Sequence, residues 1–225
     1  MGYKEDFITF MVRSGVLTFG DFITKSGRKT PYFINTGNYR TGAQAAKLGE
    51  YYAACIQEHL SGQFDALFGP AYKGIPLSVA TAVALYQGHG VDVNYCFNRK
   101  EAKDHGEGGT MIGYPLKDGD RVVITEDVIT SGAALRECMP VLQRAANIQI
   151  TGLVVSVDRM EKGTGEKSAI QQVYEDFGIR VYPIVTIREI MEYLYQRSVD
   201  GKVYIDDAML ARMKNYLAQY GVSSQ

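Results

Sequence analysis

No run of apolar residues in this 225-residue chain is long enough to cross a bilayer. The longest nearly apolar stretch, residues 75–86, falls short of the roughly 20 residues that a membrane-spanning helix requires. The first ten residues, MGYKEDFITF, contain Glu5 and Asp6 and no long apolar segment, so no secretory leader is expected. Neither sign of charge is in excess: 24 Lys and Arg face 25 Asp and Glu, for a net charge of −1. That argues against a broad nucleic-acid surface and leaves open only a local basic patch. Cysteine is scarce, and the spacing of Cys55, Cys96 and Cys138 fits neither a zinc site nor a disulfide framework. Each lies in an apolar segment, so buried free thiols in a reducing, cytoplasmic compartment are expected. Internal repeats and low-complexity segments are also missing.

What is present is a chain with 46% hydrophobic residues, enough for a real core. The length predicts one domain over residues 1–225. Helical or strand-like patterning alternates along it. Helices are expected at residues 3–13, 43–60, 75–86, 133–145, 167–177, 187–195 and 206–220. Strands are expected at 16–24, 30–35, 65–68, 91–97, 121–125, 149–157 and 180–185. Residues 98–110 carry Arg99, Lys100, Lys103 and His105 among glycines and acids without periodicity, and read as a mobile loop. The alternation from about residue 40 to 195 implies an α/β fold with a mostly parallel, doubly wound sheet. The first helix and two strands do not fit that alternation. Residues 1–40 are therefore expected to form a small N-terminal hood, and residues 41–225 the core and C-terminal helix. Open α/β sheets bind ligands at the carboxyl ends of their strands. Residues 69–74, 99–109 and 126–132 all follow strand ends, so they can converge on one crevice.

The most informative run is residues 121–134, RVVITEDVITSGAA. A strand delivers Glu126 and Asp127. Val128, Ile129, Thr130, Ser131 and Gly132 follow, and a helix opens at Ala133 and Ala134. The two carboxylates can accept hydrogen bonds from vicinal sugar hydroxyls. The amides of the small-residue turn can hold a phosphate. One site would thus grip both ends of a ribose 5-phosphate. By residue type alone, an acid at a strand end before a capping Thr or Ser can equally be structural.

The complete run resembles the phosphoribosyl-diphosphate (PRPP) signature of the type I phosphoribosyltransferases. Four further segments resemble the orotate branch of that family: KSGRKTPYFIN (25–35), GPAYKGIPL (69–77), NRKEAKDHGEGG (98–109) and SVDR (156–159). The resemblance spans nearly the whole chain. It implies transfer of the 5-phosphoribosyl group from PRPP to N1 of orotate, giving orotidine 5′-monophosphate and diphosphate in pyrimidine biosynthesis. It further implies that Tyr72, Lys73, Arg99, Lys100, Lys103, His105 and residues Glu126, Asp127, Val128, Ile129, Thr130, Ser131, Gly132, Ala133 and Ala134 bind PRPP. Lys25, Phe33, Ile34, Thr130 and Arg159 would bind orotate. Lys73, Lys103, His105 and Asp127 would carry the catalysis.

These assignments have a physical basis and plainer alternatives. Phe33 would support the flat base and Lys25 would neutralise charge, although turn cations are usually solvated and aromatics usually pack. Gly69 and Gly74 would let backbone approach the diphosphate, with Lys73 adding a point charge; the loop could also be a mere connection. The resemblance leads us to expect a non-proline cis peptide at Ala71–Tyr72. The glycine-hinged cationic loop suits a lid over a polyanion, or it is a solvated charge run. In the family it completes the neighbouring subunit's site, which implies a homodimer. Arg159 is either paired structurally, with Asp158 for instance, or free to bind a carboxylate through its planar fork. Mg²⁺ is the implied cofactor, held mainly through PRPP with no direct protein ligand. No nucleic-acid or membrane partner is expected. Many family members have Asp at both acidic positions; here Glu126 precedes Asp127, so which acid holds which hydroxyl stays open. A phosphoribosyltransferase for another base, or a PRPP-sensing regulator on the same fold, remains as an alternative.

Overall fold

The computed structural model describes residues 2–24, 27–103, 109–129, 132–163 and 165–222, with only the backbone of Ala102, Lys103 and Gly109. In chain order its elements are α1 (Tyr3–Arg13), β1 (Leu17–Ile23), β2 (Lys29–Ile34), α2 (Gly42–Leu60), β3 (Ala66–Gly69), α3 (Gly74–His89), β4 (Asn94–Lys103), β5 (Gly109–Gly113), β6 (Arg121–Thr125), α4 (Ala133–Ala145), β7 (Gln149–Asp158), α5 (Ala169–Phe177), β8 (Val181–Thr186), α6 (Ile187–Leu194), β9 (Ser198–Val199), β10 (Lys202–Val203) and α7 (Asp207–Tyr220).

Strands β3, β6 and β7 are short apolar runs because both faces of the sheet are covered. Leu67, Val123 and Val154 point to one face, where they join residues of α1, α2, α3, α6 and α7. Their neighbours Phe68, Val122, Ile124, Leu153 and Val155 point to the other, against Leu135, Cys138 and Leu142 of α4 and Val173 of α5. At roughly 2 kcal/mol for each fully buried aliphatic side chain, core packing dominates the placement of these strands. The resulting six-stranded sheet has the order β5-β4-β3-β6-β7-β8. It is parallel except at the edge, where β5 runs antiparallel to β4. The expected doubly wound, mostly parallel sheet is present. Helix starts are set locally: Thr41 with Gln44, Ser168 with Gln171, and Thr186 with Glu189 each form a reciprocal capping box.

β1 and β2 form a separate antiparallel hairpin, and β2 packs on α7. All three cysteines are buried and free, as expected. Among the described residues no helix is long and apolar enough to cross a membrane.

The expectation of a loop throughout residues 98–110 is overturned. Residues up to Lys103 continue β4, and β5 begins at Gly109, with Asn98 paired to Met111 and Lys103 to Gly109. The antiparallel partner supplies backbone hydrogen bonds that composition does not reveal, and an edge hairpin tolerates charged side chains. Residues 104–108 lie outside the described part. A second small hairpin, β9–β10, was also unforeseen. Its Asp200-Gly201 turn, with both φ angles positive, is a hairpin signal that was available in the sequence.

Candidate active site

Three connections converge at the carboxyl ends of β3, β6 and β7. β6 ends at Thr125, and the chain continues alongside β7: Glu126 N–H donates to the Val154 carbonyl, and Ser156 N–H to the Asp127 carbonyl. The Tyr52 hydroxyl donates to the Glu126 carbonyl at 2.7 Å. The backbone of the acid pair is therefore fixed from both α2 and β7.

Asp127 is nearly buried. Its Oδ1 accepts the Val128 N–H at 2.8 Å. Its Oδ2 accepts the Thr36 hydroxyl at 2.6 Å and the Lys73 ammonium at 2.8 Å. Lys73 Nζ also donates to Thr36 Oγ1 at 3.1 Å. Burial opposes the Asp127 charge, but the Lys73 and Thr36 donors outweigh it, and the carboxyl is held below its ordinary range. Glu126 behaves in the opposite way. Burial, to which the Asp127 charge adds, pushes its carboxyl up to about 8, although its Oε1 accepts the Asp127 N–H at 3.0 Å. The two adjacent carboxyls are thus shifted in opposite directions.

Lys73 reaches Asp127 because β3 and α3 meet closely. A Cβ on Gly69 would lie 2.2 Å from the Gly74 carbonyl oxygen and 2.5 Å from Ser78 Oγ, and one on Gly74 would lie 2.6 Å from Pro70 Cδ. Close backbone approach, not positive φ, is what these glycines serve. Between them the Ala71–Tyr72 peptide is cis, where the resemblance placed it. The Ala71 N–H donates to Asn98 Oδ1 at 2.9 Å, tying this loop to β4. Tyr72 is 69% exposed, and Lys100 Nζ lies 5.5 Å from its ring centre. Lys100 also lies 3.9 Å from Glu137. Arg99 is on β4 beside it.

A cleft of about 80 Å³ is lined by Pro70, Ile124, Glu126, Val128, Ile129, Gly132, Ala133, Ala134, Leu135 and Leu153. It opens at the first turn of α4. Gly132 enters that helix at φ 69°, a left-handed conformation that glycine adopts without steric cost. The leading amides of a helix are natural anion donors. Glu126 and Val128, the two chain neighbours of Asp127, both line this cleft.

The structure brings Lys73, Glu126, Asp127, Val128, Ile129, Gly132, Ala133 and Ala134 together, with Tyr72 on the loop that carries Lys73. Phe33 lies on β2, half-stacked on Phe22 with ring centres 5.5 Å apart, and Ile34 ends that strand. Arg159 is engaged: its Nε and Nη2 donate to Glu161 Oε1 at 3.0 and 2.8 Å. Asp158 is not its partner, because Asp158 Oδ1 instead accepts the Met160 N–H. Lys25, His105, Thr130, Ser131 and the Lys103 side chain lie outside the described residues. Sequence reasoning missed Thr36, Asn98 and Glu161. The polar run Asn35-Thr36-Gly37 after a strand was the available signal for the first, since Asn35 caps the Gly37 N–H in a short 3₁₀ turn. Asn98 and Glu161 left no signal beyond their neighbourhood.

A strand-end acid pair, a close glycine loop bearing a lysine, and a cleft at a helix start thus meet at the carboxyl end of the sheet. The phosphoribosyl transferase domain family matches residues 35–178. Orotate phosphoribosyltransferase of Lachnoclostridium phytofermentans is 56% identical over 222 residues, covering 99% of each chain. That of Clostridium acetobutylicum is 54% identical over 220 residues, covering 98% of each. A crystal structure of orotate phosphoribosyltransferase from Francisella tularensis superposes with a TM-score of 0.83 at 38% identity, covering 96% of this chain and 99% of that one. The chain belongs to the phosphoribosyltransferase family, in its orotate phosphoribosyltransferase branch.

Proposed function

We propose that this chain transfers the 5-phosphoribosyl group of PRPP to N1 of orotate, releasing diphosphate, as a step of pyrimidine biosynthesis. The observation that carries this reading is the convergence of Lys73 and Thr36 on Asp127, whose chain neighbours Glu126 and Val128 line the cleft at the start of α4. The 5-phosphate would sit on the α4 amides, with Thr130 and Ser131 adding donors. Asp127 would accept a ribose hydroxyl in place of Lys73, and Lys73 would turn to the diphosphate. The two groups satisfy each other across the crevice, and PRPP offers a partner to each.

No side-chain nucleophile is needed. The bond from C1′ to diphosphate breaks as positive charge builds on the ribose ring, and orotate N1 takes C1′ with inversion. Catalysis then rests on positioning and on stabilising the departing anion. Lys73, Arg99, Lys100, Lys103 and His105 supply the positive charge. Phe33, Ile34 and Lys25 on and beside the β1–β2 hairpin would form a hood over the base, and Arg159 would meet its carboxylate.

Mg²⁺ suits this site. Asp127 is a charged oxygen donor, and the ion prefers such ligands while keeping several waters. PRPP itself would hold most of the ion. When bound, it would neutralise diphosphate charge.

A homodimer is the assembly we propose, with residues 99–109 completing the neighbouring site. Val83 and Tyr86 on α3 and Tyr95 on the adjacent β4 are exposed apolar groups. Tyr95 lies on the strand that leads into the β4–β5 hairpin, and exposed apolar groups of this kind fit a second copy of the chain. Free buried thiols support a cytoplasmic location.

The deciding assay mixes purified protein with PRPP, Mg²⁺ and, separately, orotate, uracil, hypoxanthine and adenine, and follows nucleotide formation. Orotidine 5′-monophosphate should form preferentially. Preference for another base, or no turnover with any, would reject the reading.

A further inference from the structure

The turn after β7 is clamped from several directions. Met160 sits at φ 53°, a left-handed conformation uncommon for such a side chain and maintained only where surroundings over-determine it. Asp158 Oδ1 accepts its N–H at 2.8 Å. Val222 N–H donates to its carbonyl at 2.9 Å, and Lys162 N–H donates to the Tyr220 carbonyl at 2.8 Å. The residues that follow α7 thereby pair with the turn, Glu161 opposite Gly221.

This turn presents Arg159 and Glu161 to the β1–β2 hairpin. Glu161 Oε1 accepts both Arg159 donors and the Tyr32 hydroxyl, the latter at 2.5 Å. The Arg159 guanidinium lies 5.1 Å from the centre of the Tyr32 ring. Tyr216 of α7 meets that ring edge-on at 6.0 Å. Arg28, from the same hairpin, donates to the carbonyls of Lys162 and Gly163 and stacks 4.9 Å from the Tyr220 ring. The Arg159 and Glu161 side chains are only 19% and 13% exposed.

We infer that Glu161 is the positioning residue for Arg159, and that α7 with residues 221–222 sets base selection by bracing the Arg159–Glu161 turn. The inference rests on the reading of Arg159 as the partner of the base's carboxylate. A guanidinium is a rigid planar fork. Fixing its Nε and Nη2 edge on Glu161, with Tyr32 beneath its face, fixes the direction of its remaining edge. A long flexible cation is thus ordered before substrate arrives, and preorganisation lowers the cost of binding. The chain end, remote in sequence, becomes part of how the site tells a carboxylated pyrimidine from an uncarboxylated one.

The test is steady-state kinetics of the full-length protein with PRPP and Mg²⁺. Glu161→Gln should raise KM for orotate about tenfold while leaving KM for PRPP within about twofold. Glu161→Asp should recover part of the loss. A chain ending at Tyr220 should show the same orotate-selective defect. Tyr32→Phe, which removes only the hydroxyl, keeps the test open if Glu161→Gln does not fold, and should shift KM for orotate in the same direction. Unchanged KM for orotate, or equal losses for both substrates, would overturn the inference. Failure of the wild-type protein to use orotate would instead remove the reading beneath it, so the two failures are distinguishable.

Discussion

Lys73 Nζ lies 2.8 Å from Asp127 Oδ2, joining the residue that precedes α3 to the turn after β6. The lysine side chain is 62% exposed and the aspartate side chain 12%. Such a half-exposed pair contributes little to stability once solvent screening is counted. Its value is in placing an exposed cation next to a buried anion.

Removing that cation should therefore affect turnover more than folding. Lys73→Ala is expected to lower kcat/KM for PRPP about 100-fold, near 3 kcal/mol of transition-state stabilisation, with a thermal midpoint shifted by no more than about 2 °C. Thr36→Val removes one neutral donor to the same oxygen and should cost about 1 kcal/mol. Steady-state kinetics and calorimetry on both variants decide this. A large fall in Tm with unaltered kinetics would make the pair structural.

Glu126 gives the protein a pH signature. Its carboxyl stands at about 8 in the folded chain against an ordinary value of 4.5. Below 4.5 the acid is protonated in both states, and its contribution is fully present. Between 4.5 and about 8 the unfolded chain has released a proton that the folded chain retains, so stability falls as pH rises. Glu126→Gln should flatten that decline. The depressed Asp127 acts at the acid end, where stability is lost as pH falls below its ordinary 3.8, so the two windows do not overlap. Melting curves of both proteins from pH 5 to 8.5 would run parallel if Glu126 were ordinary.

The proposed lid can be tested by subunit mixing. Lys103→Ala should lower kcat by about 2 kcal/mol or more in barrier while changing PRPP affinity little. If Lys103 serves the partner's site, exchanging subunits with Asp127→Asn restores one intact site in each mixed dimer. Half the dimers are mixed and each has one working site of two, so about a quarter of wild-type activity should return. Mixing without any recovery would place Lys103 in its own subunit's site.

Gly69 should resist any side chain. Its Cβ would overlap the Gly74 carbonyl and Ser78 Oγ, in a backbone contact that cannot yield without moving α3. Gly69→Ala is expected to cost about 3 kcal/mol, read from urea denaturation, and to displace Lys73 enough to reduce activity as well. A fully stable, active Gly69→Ala protein would mean that β3 and α3 separate easily.

The alternation of elements was legible because each strand and helix writes its own period into the chain. The acid pair and the glycine loop were legible because their chemistry is local: carboxylates at a strand end, small residues at a helix start. The β4–β5 hairpin was obscured, since an edge strand rich in charge has no apolar alternation to betray it. Thr36 was missed because its local signal, the polar run Asn35-Thr36-Gly37, does not point to Asp127, which lies 91 residues away.

What the chain determined by itself was the order of its elements and the kinds of groups brought to the strand ends, since backbone preference and apolar period act within a few residues. Only the tertiary structure decided which of those groups meet. Asp127 could find its charge held by Lys73 and Thr36, the Glu126 carboxyl could be pushed up, and Arg159 could take Glu161 over Asp158, only once distance and burial were set. Both depend on how the whole core packs, and no short stretch of residues records that.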